Sequence, residues 1–196
     1  MAKIKTKAHW LNYFRPTIFI KSYTNLNIFL LKKIGIKMLI CDLDNTLSPH
    51  FTKWPNKKVI NFCNEIRSND IKLAIVSNNS KKRVLTYTSR LEVDEVIFNA
   101  KKPMKRKITK MLTRQNLRPN EVIFLGDQFI TDIWTASRIG CKSILVSPIT
   151  DELSDDSSSK LIKFLNKHIY RKLEHGNYLS LDKTRSESLN DEHQFI

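Results

Sequence analysis

No aspartate or glutamate occurs in this chain before Asp42, glycine appears only four times, and cysteine only three times. Each scarcity excludes something. The longest uncharged apolar runs, such as Ile28 to Leu31, fall far short of the ~20 residues that span a bilayer, and no signal-peptide pattern opens the chain. A protein that is soluble or lies on a surface is the expectation. Cys41, Cys63 and Cys141 show no pairwise metal spacing and sit in apolar or helical stretches, which predicts reduced core residues of a cytosolic protein. The five histidines form no ligand spacing, and no internal repeat is present. Of the few glycines, Gly35, Gly126 and Gly140 all fall at element boundaries.

What is present is a chain of 196 residues with 41% hydrophobic content, enough for one good core and too little for two large domains. Its net charge of +15 and pI near 9.8 predict attraction to polyanions, whether nucleic acid, ribosome or an anionic membrane. Abundant Lys, Asn and Ile also fit a compositionally biased genome, so the distribution of charge says more than its total. Lys3, Lys5, Lys7, Arg15, Lys21, Lys32, Lys33 and Lys37 all precede the first acidic residue.

Hydrophobic periodicity predicts strands over 36–41, 71–76, 95–98, 122–125 and 143–146, with helices over 57–67, 81–90, 105–115 and 131–139 between them. Such alternation predicts an α/β, doubly wound, mostly parallel five-stranded sheet. The expected organisation is a basic amphipathic N-terminal extension (1–35), a core (36–150), a polar linker (151–159), a basic amphipathic helix (160–175) and a mobile polar tail (176–196). Within the extension, Pro16 suits the first turn of a helix ending near Lys33, with Phe19, Tyr23, Leu26 and Leu30 on one face.

Four segments carry chemistry, and each lies at or just beyond an apolar run: Asp42-Leu43-Asp44-Asn45-Thr46, Ser77-Asn78-Asn79, Lys102-Pro103 and Gly126 to Asp132. Asp42 and Asp44 alternate about Leu43, and a period of two keeps both carboxylates together where the chain leaves the sheet. Asp42 is the candidate nucleophile for an aspartyl phosphate, and Asp44 the acid and base that protonates the leaving alkoxide and then activates water. Alone, an Asp-x-Asp is common and more often a capped turn or a pair of surface carboxylates. Two carboxylates beside an anionic substrate require cations. Asp127 adds a third oxygen donor, a set that suits Mg2+ better than a soft metal. Asp132 can reach metal-bound water, or cap its helix with Thr131. Lys102 would neutralise phosphate charge, and Thr46, Ser77 and Asn78 would donate to phosphate oxygens, the last two at a helix N-terminus. The order and complementarity of the pieces, more than any one of them, predict phosphotransfer.

Asp42 to Thr46, Ser77, Lys102 and Asp127 to Asp132 resemble the four signature motifs of the haloacid dehalogenase superfamily of phosphatases. More narrowly, Gly-Ile-Lys before the first strand, Asp-Leu-Asp-Asn-Thr-Leu, Ile-Val-Ser-Asn-Asn, Lys-Lys-Pro-Met and Gly-Asp-Gln with a following Thr-Asp resemble the bacterial YqeG family, type IIIA, over about Asn12 to Leu173. The resemblance implies a Rossmann-like fold, with Asp42 as nucleophile and Asp44 as acid and base. It also implies Mg2+ held by Asp42, the Asp44 carbonyl and Asp127. That family is similar to eukaryotic phosphatidylglycerophosphate phosphatases, which act on a phospholipid precursor at a membrane. The N-terminal extension and the tail after Gly176 lie outside the pattern.

The intervals 47–76 and 79–101 are filled by one helix and one strand each, so neither can house a cap domain. An open site favours substrates that bring their own bulk: lipid headgroups at an interface, protein phosphates or nucleic-acid ends. In the last predicted helix, Leu161, Leu165, Ile169 and Leu173 form a stripe beside Lys160, Lys163, Lys167 and Arg171. Such a helix suits an anionic membrane surface, and equally an apolar face packed on the sheet. Trp10, Tyr13, Phe14 and Phe19 among basic residues lean toward the surface. The motifs thus predict a Mg2+-dependent phosphomonoester hydrolase, and the resemblance, with the basic flanks, implies phosphatidylglycerophosphate as its substrate and a cytoplasmic protein peripheral at the inner face of the membrane. A phosphatase of nucleic-acid ends or ribosome-associated factors is the alternative enzyme, and a non-catalytic basic scaffold the alternative without chemistry.

Overall fold

The computed structural model describes residues 9–149 and 160–175. The predicted linker, the predicted tail, Lys3, Lys5 and Lys7 lie outside the described residues. Six strands form one parallel sheet: β1 (Ile18–Ile20), β2 (Met38–Cys41), β3 (Lys72–Val76), β4 (Glu95–Ile97), β5 (Val122–Gly126) and β6 (Lys142–Val146). Their spatial order is β1-β6-β5-β2-β3-β4, and every pairing is parallel.

Central strands of a parallel sheet are covered on both faces and therefore read as continuous apolar runs. Every residue of β2 and β5 is accordingly buried. Leu39, Cys41, Leu73, Ile123 and Ile144 join the core on one face, while Met38, Ile40, Ala74, Val122 and Phe124 join that on the other. The covering helices are α1 (Ile28–Lys33), α2 (Lys57–Ser68), α3 (Lys81–Thr88), α4 (Arg106–Arg114), α5 (Trp134–Ile139) and α6 (Lys160–His175). Local chemistry sets their ends. Asn56 and Ser80 cap α2 and α3 by accepting from Val59 and Arg83 backbone N–H groups, and Gly140 ends α5 at φ 86°, in the left-handed region glycine tolerates.

From β2 the chain winds outward through β3 to β4, then returns to β5 on the other side of β2 and continues to β6. The winding reverses between β2 and β5, and the crevice beyond strand C-termini at such a switch point is where open α/β sheets hold ligands. Cys41 lies level with Leu125 and with Ile75, so Asp42, Ser77 and Asp127 emerge along one edge.

The N-terminal segment departs from expectation. In place of a helix from Pro16 to Lys33 there is a 3-10 turn at His9–Phe14, strand β1, a second turn at Tyr23–Asn25, and only then α1. The sheet accordingly has six strands, not five. Ile18-Phe19-Ile20 is β-branched and aromatic, suited to a pleated surface, and β6 offers an unpaired edge. Thr17 closes that edge: its N–H donates to the Ser143 carbonyl at 2.9 Å and its hydroxyl accepts from the Ser143 N–H at 3.0 Å. Phe14 packs on Trp134 with centroids 5.5 Å apart, and Phe19 joins a cluster with Phe129 and Ile169, whereas Trp10 and Tyr13 stay exposed.

The predicted stripe on α6 divides along its length. Ile169 and Leu173 are buried against Phe129 and Ile133, and Asn166 accepts from the Ile130 N–H at 3.1 Å. Leu161 and Phe164 are two-thirds exposed, at 66% and 67%. Between β2 and β3, and between β3 and β4, each interval holds a single helix and no cap domain.

Candidate active site

The loop after β2 is built by period-two alternation. Leu43 is fully buried in the core, so Asp42 and Asp44 are carried together toward the crevice. Asn45, at φ 66°, turns the chain, and its N–H donates to the Ser48 carbonyl at 2.7 Å. The turn brings Thr46 back over the strand end. Its hydroxyl lies 2.7 Å from Asp127 Oδ1 and 3.1 Å from Asp42 Oδ2, one proton shared between two carboxylates.

Lys102 arrives from the other side. Its Nζ sits 2.6 Å from Asp42 Oδ1 and 2.6 Å from Asp132 Oδ1, and its side chain is almost wholly buried. The Lys102 peptide is fixed by Asn78, whose amide accepts from the Lys102 N–H at 2.7 Å and donates to its carbonyl at 3.2 Å. Both ends of the Asn78 amide are therefore engaged in seating the lysine, which leaves its backbone N–H as the donor it could offer phosphate. Ser77 reaches Asp44: its hydroxyl donates to Oδ2 at 3.3 Å and accepts from the Asn79 N–H at 3.0 Å.

Asp132 ties the turn after β5 to the lysine. Oδ2 accepts from the Gln128 N–H at 3.0 Å, closing the π turn Phe129–Ile133, while Oδ1 meets Lys102. Asp42, Asp127 and Asp132 can each place a carboxylate oxygen within 4.8 Å of the others. All candidate residues predicted from sequence thus converge on one crevice.

The electrostatics are unbalanced. Burial raises Asp127 well above the usual carboxylate range, and the neighbouring Asp132 and Asp42 add to it. Burial likewise lifts Asp132, to about 6, against the pull of Lys102. Burial would lower Lys102, but Asp132 and Asp42 outweigh it and hold the ammonium above the ordinary lysine value. Asp44 is raised by burial and by Asp42, with Arg83 and Asn79 opposing. Three clustered carboxylates face one ammonium, so the donor set fits a cation, and its all-oxygen character fits a hard divalent ion.

Two residues at the site were not identified from sequence. Asn79 donates its amide to Asp44 Oδ2 at 3.3 Å, and Arg83 forms an ion pair with Asp44 Oδ1 at 2.9 Å. Asn79 had a signal in its place within the Ser77 segment. Arg83 had none, because it ends the run Lys81-Lys82-Arg83 and only the turn of α3 selects it.

Residues 5–150 match the family described as mitochondrial PGP phosphatase. The chain is 30% identical over 161 residues to "Probable phosphatase YqeG" of Bacillus subtilis (strain 168), covering 82% of this chain and 90% of that protein. Among solved structures, the cobalt-bound deoxy-D-mannose-octulosonate 8-phosphate phosphatase of Haemophilus influenzae aligns with TM-score 0.47 and 14% identity, over 81% of this chain and 99% of that one. A HAD family enzyme of Bacteroides thetaiotaomicron, in complex with magnesium and inorganic phosphate, aligns with TM-score 0.47 and 11% identity over 60% and 98%.

Proposed function

The chain belongs to the mitochondrial PGP phosphatase family and is a phosphatase of the haloacid dehalogenase type, and from that premise we propose that it hydrolyses phosphatidylglycerophosphate to phosphatidylglycerol and inorganic phosphate. The observation that carries the chemistry is the Asp42–Lys102–Asp132 chain beside Asp127 at the sheet's switch point.

In this reading Asp42 Oδ2, the oxygen not bonded to Lys102, attacks phosphorus. The bond to the glycerol oxygen breaks, Asp44 protonates the departing alkoxide, and an aspartyl phosphate remains on Asp42. Asp44, now a carboxylate, takes a proton from water as that water attacks the same phosphorus, releasing phosphate and restoring Asp42. Lys102 holds the nucleophile and offers positive charge to the transferring group, seated by Asn78, while Thr46, Ser77 and the Asn78 backbone donate to phosphate oxygens. Asp42, Asp127 and Asp132 are the side chains that would hold Mg2+, with the Asp44 carbonyl; when bound, the ion supplies positive charge to the phosphoryl oxygens.

The lipid assignment rests on the family and on the surface. No helix among the described residues is long and apolar enough to cross a membrane. Among the described residues no cap domain is inserted between β2 and β4, and Phe51, in the loop after β2, is 73% exposed. With the net charge of +15, these features support peripheral docking of the phosphatase core (36–150) on anionic lipid at the cytoplasmic face, aided by 1–35 and 160–175.

The test is phosphate release from phosphatidylglycerophosphate in mixed anionic vesicles with Mg2+, beside soluble phosphomonoesters and phosphorylated nucleic-acid ends, with Asp42→Asn as the blank. Mg2+-dependent lipid turnover that vanishes in the variant is the expected result. Activity on soluble or nucleic-acid phosphates alone would overturn the lipid substrate, and no activity on any would leave a basic scaffold.

A further inference from the structure

We propose that Arg83 is a positioning residue for Asp44, locking one carboxylate oxygen so that the other faces the departing alkoxide. The proposal rests on the phosphatase reading above and adds to it the device that orients its acid.

Arg83 lies in the first turn of α3, whose N-cap is Ser80. Its guanidinium is held from three directions. Nη2 meets Asp44 Oδ1 at 2.9 Å, and Nη1 donates to the Thr52 carbonyl at 2.5 Å. The group also lies against the Tyr87 ring, 5.1 Å from the centroid, and the Tyr87 hydroxyl bonds to Ser48. Ser48 and Thr52 belong to the loop that follows Asp44, so helix α3 and that loop grip the guanidinium together. The side chains of Arg83 and Asp44 are only 16% and 12% exposed, and Arg83 Nε is buried without a hydrogen-bond partner. An exposed surface pair leaves its nitrogens to water, whereas here packing fixes the guanidinium plane even where one N–H goes unsatisfied.

The two oxygens of Asp44 are treated differently. Oδ1 is engaged by the short, charge-assisted bond from Arg83. Oδ2 receives only 3.3 Å contacts from Ser77 and Asn79, which are long and easily exchanged for substrate. Oδ2 is therefore the oxygen free to transfer a proton, and Arg83 determines where it stands. Proton transfer depends steeply on such placement, a displacement of about 1 Å costing on the order of 100-fold.

A residue that only held the loop would slow all substrates alike. A residue that orients the acid matters most where the leaving group needs a proton. The experiment compares kcat/KM, which reports formation of the phosphoenzyme, for alkyl and nitrophenyl phosphate monoesters that the wild type turns over, in Arg83→Gln and Arg83→Lys. Arg83→Gln is expected to lose on the order of 100-fold on the alkyl ester and far less on the nitrophenyl ester, with KM little changed. Arg83→Lys, which keeps a cation, is expected to recover part of the alkyl loss. Equal losses on both esters, or no loss on either, would overturn the proposal. Should Arg83→Gln melt below the assay temperature, the same ester ratio in Arg83→Lys decides by the same criterion. A wild type that hydrolyses no phosphomonoester overturns the phosphatase reading and the proposal with it, a failure visible before any variant is compared.

Discussion

At Asp127 three unfavourable influences meet: burial, Asp132 and Asp42. A group whose folded-state pKa is raised binds its proton more tightly in the native state than in the unfolded chain. Metal-free protein should therefore lose stability as pH rises from about 4, the unfolded value, up through the raised native value. Asp127→Asn removes its share of that decline and is expected to melt higher than wild type at pH 7 in EDTA. Mg2+ should raise the melting temperature of the wild type, since a ligand bound by the native state stabilises it, and should leave the variant nearly unmoved. Thermal melts with and without Mg2+ at several pH values check both statements. Lys102 presents the reverse case. Lys102→Met strips Asp42 and Asp132 of their buried counter-charge, and breaking such a pair from one side costs about 3–5 kcal/mol, measurable by urea unfolding. Asp42, Asp44 and Asp127 were legible because a strand's end and period two fix where their side chains go, whereas Lys102 and Asp132 stand well beyond β4 and β5 and were legible only through the order of the motifs. Arg83 was not, because charge and position alone do not separate it from Lys81 and Lys82. The selection is made by the 3.6-residue turn that stacks Arg83 beside Tyr87.

Elements bring their own constraints to the crevice. A side chain at Gly126 would place its Cβ 2.4 Å from Asp132 Cβ and Cγ, so β5 and the π turn after it pack backbone against side-chain root. Gly126→Ala must push Asp132 away, with an overpacking cost of about 1–3 kcal/mol and a drop in kcat that exceeds the change in stability; melting curves and turnover on the same preparation check this. Before β5, Glu121 joins two segments. It accepts from the Arg118 N–H at 2.8 Å and pairs with Lys37 Nζ at 2.7 Å, the residue that leads into β2. The Arg118 side chain, then Lys37 and the Arg118 N–H, hold its carboxyl down at about 2. A depressed native value means stability that is present above the unfolded value of about 4.3 and is lost as pH falls through 2. Glu121→Gln should melt lower than wild type at neutral pH, and the two melts should converge near pH 2. The strands that carry chemistry were readable as buried runs, but β1 was not. Its few residues also fit a helical spacing with Tyr23 and Leu26, and only the open edge of β6, supplied by the folded sheet, settles the matter.

Over the whole molecule, charge and exposed apolar groups determine where the crevice can work. In the docking on anionic lipid proposed above, the net charge of +15 would supply the attraction, yet its long-range part is screened within about 8 Å at physiological salt. Apolar contact is then needed to hold the complex. The described surface offers it at Phe51, Leu161 and Phe164, and the two on α6 stand beside Lys160 and Lys163. The C-terminal half of the same helix does different work, since Ile169 and Leu173 are locked into the fold. The sequence stripe from Leu161 to Leu173 was legible as amphipathic but could not reveal this division, which depends on how far the Phe129–Ile133 turn extends along the helix. The two halves should therefore separate by mutation. Leu173→Ala is expected to cost about 2–5 kcal/mol in stability while leaving vesicle binding by the folded fraction intact. Leu161→Glu with Phe164→Glu is expected to change stability by no more than about 0.5 kcal/mol per site, yet to weaken co-sedimentation with vesicles rich in anionic lipid. Raising salt should release the double variant more completely than the wild type, because apolar burial persists where charge is screened. Equal salt sensitivity of the two proteins would overturn an apolar contact between α6 and the vesicle surface.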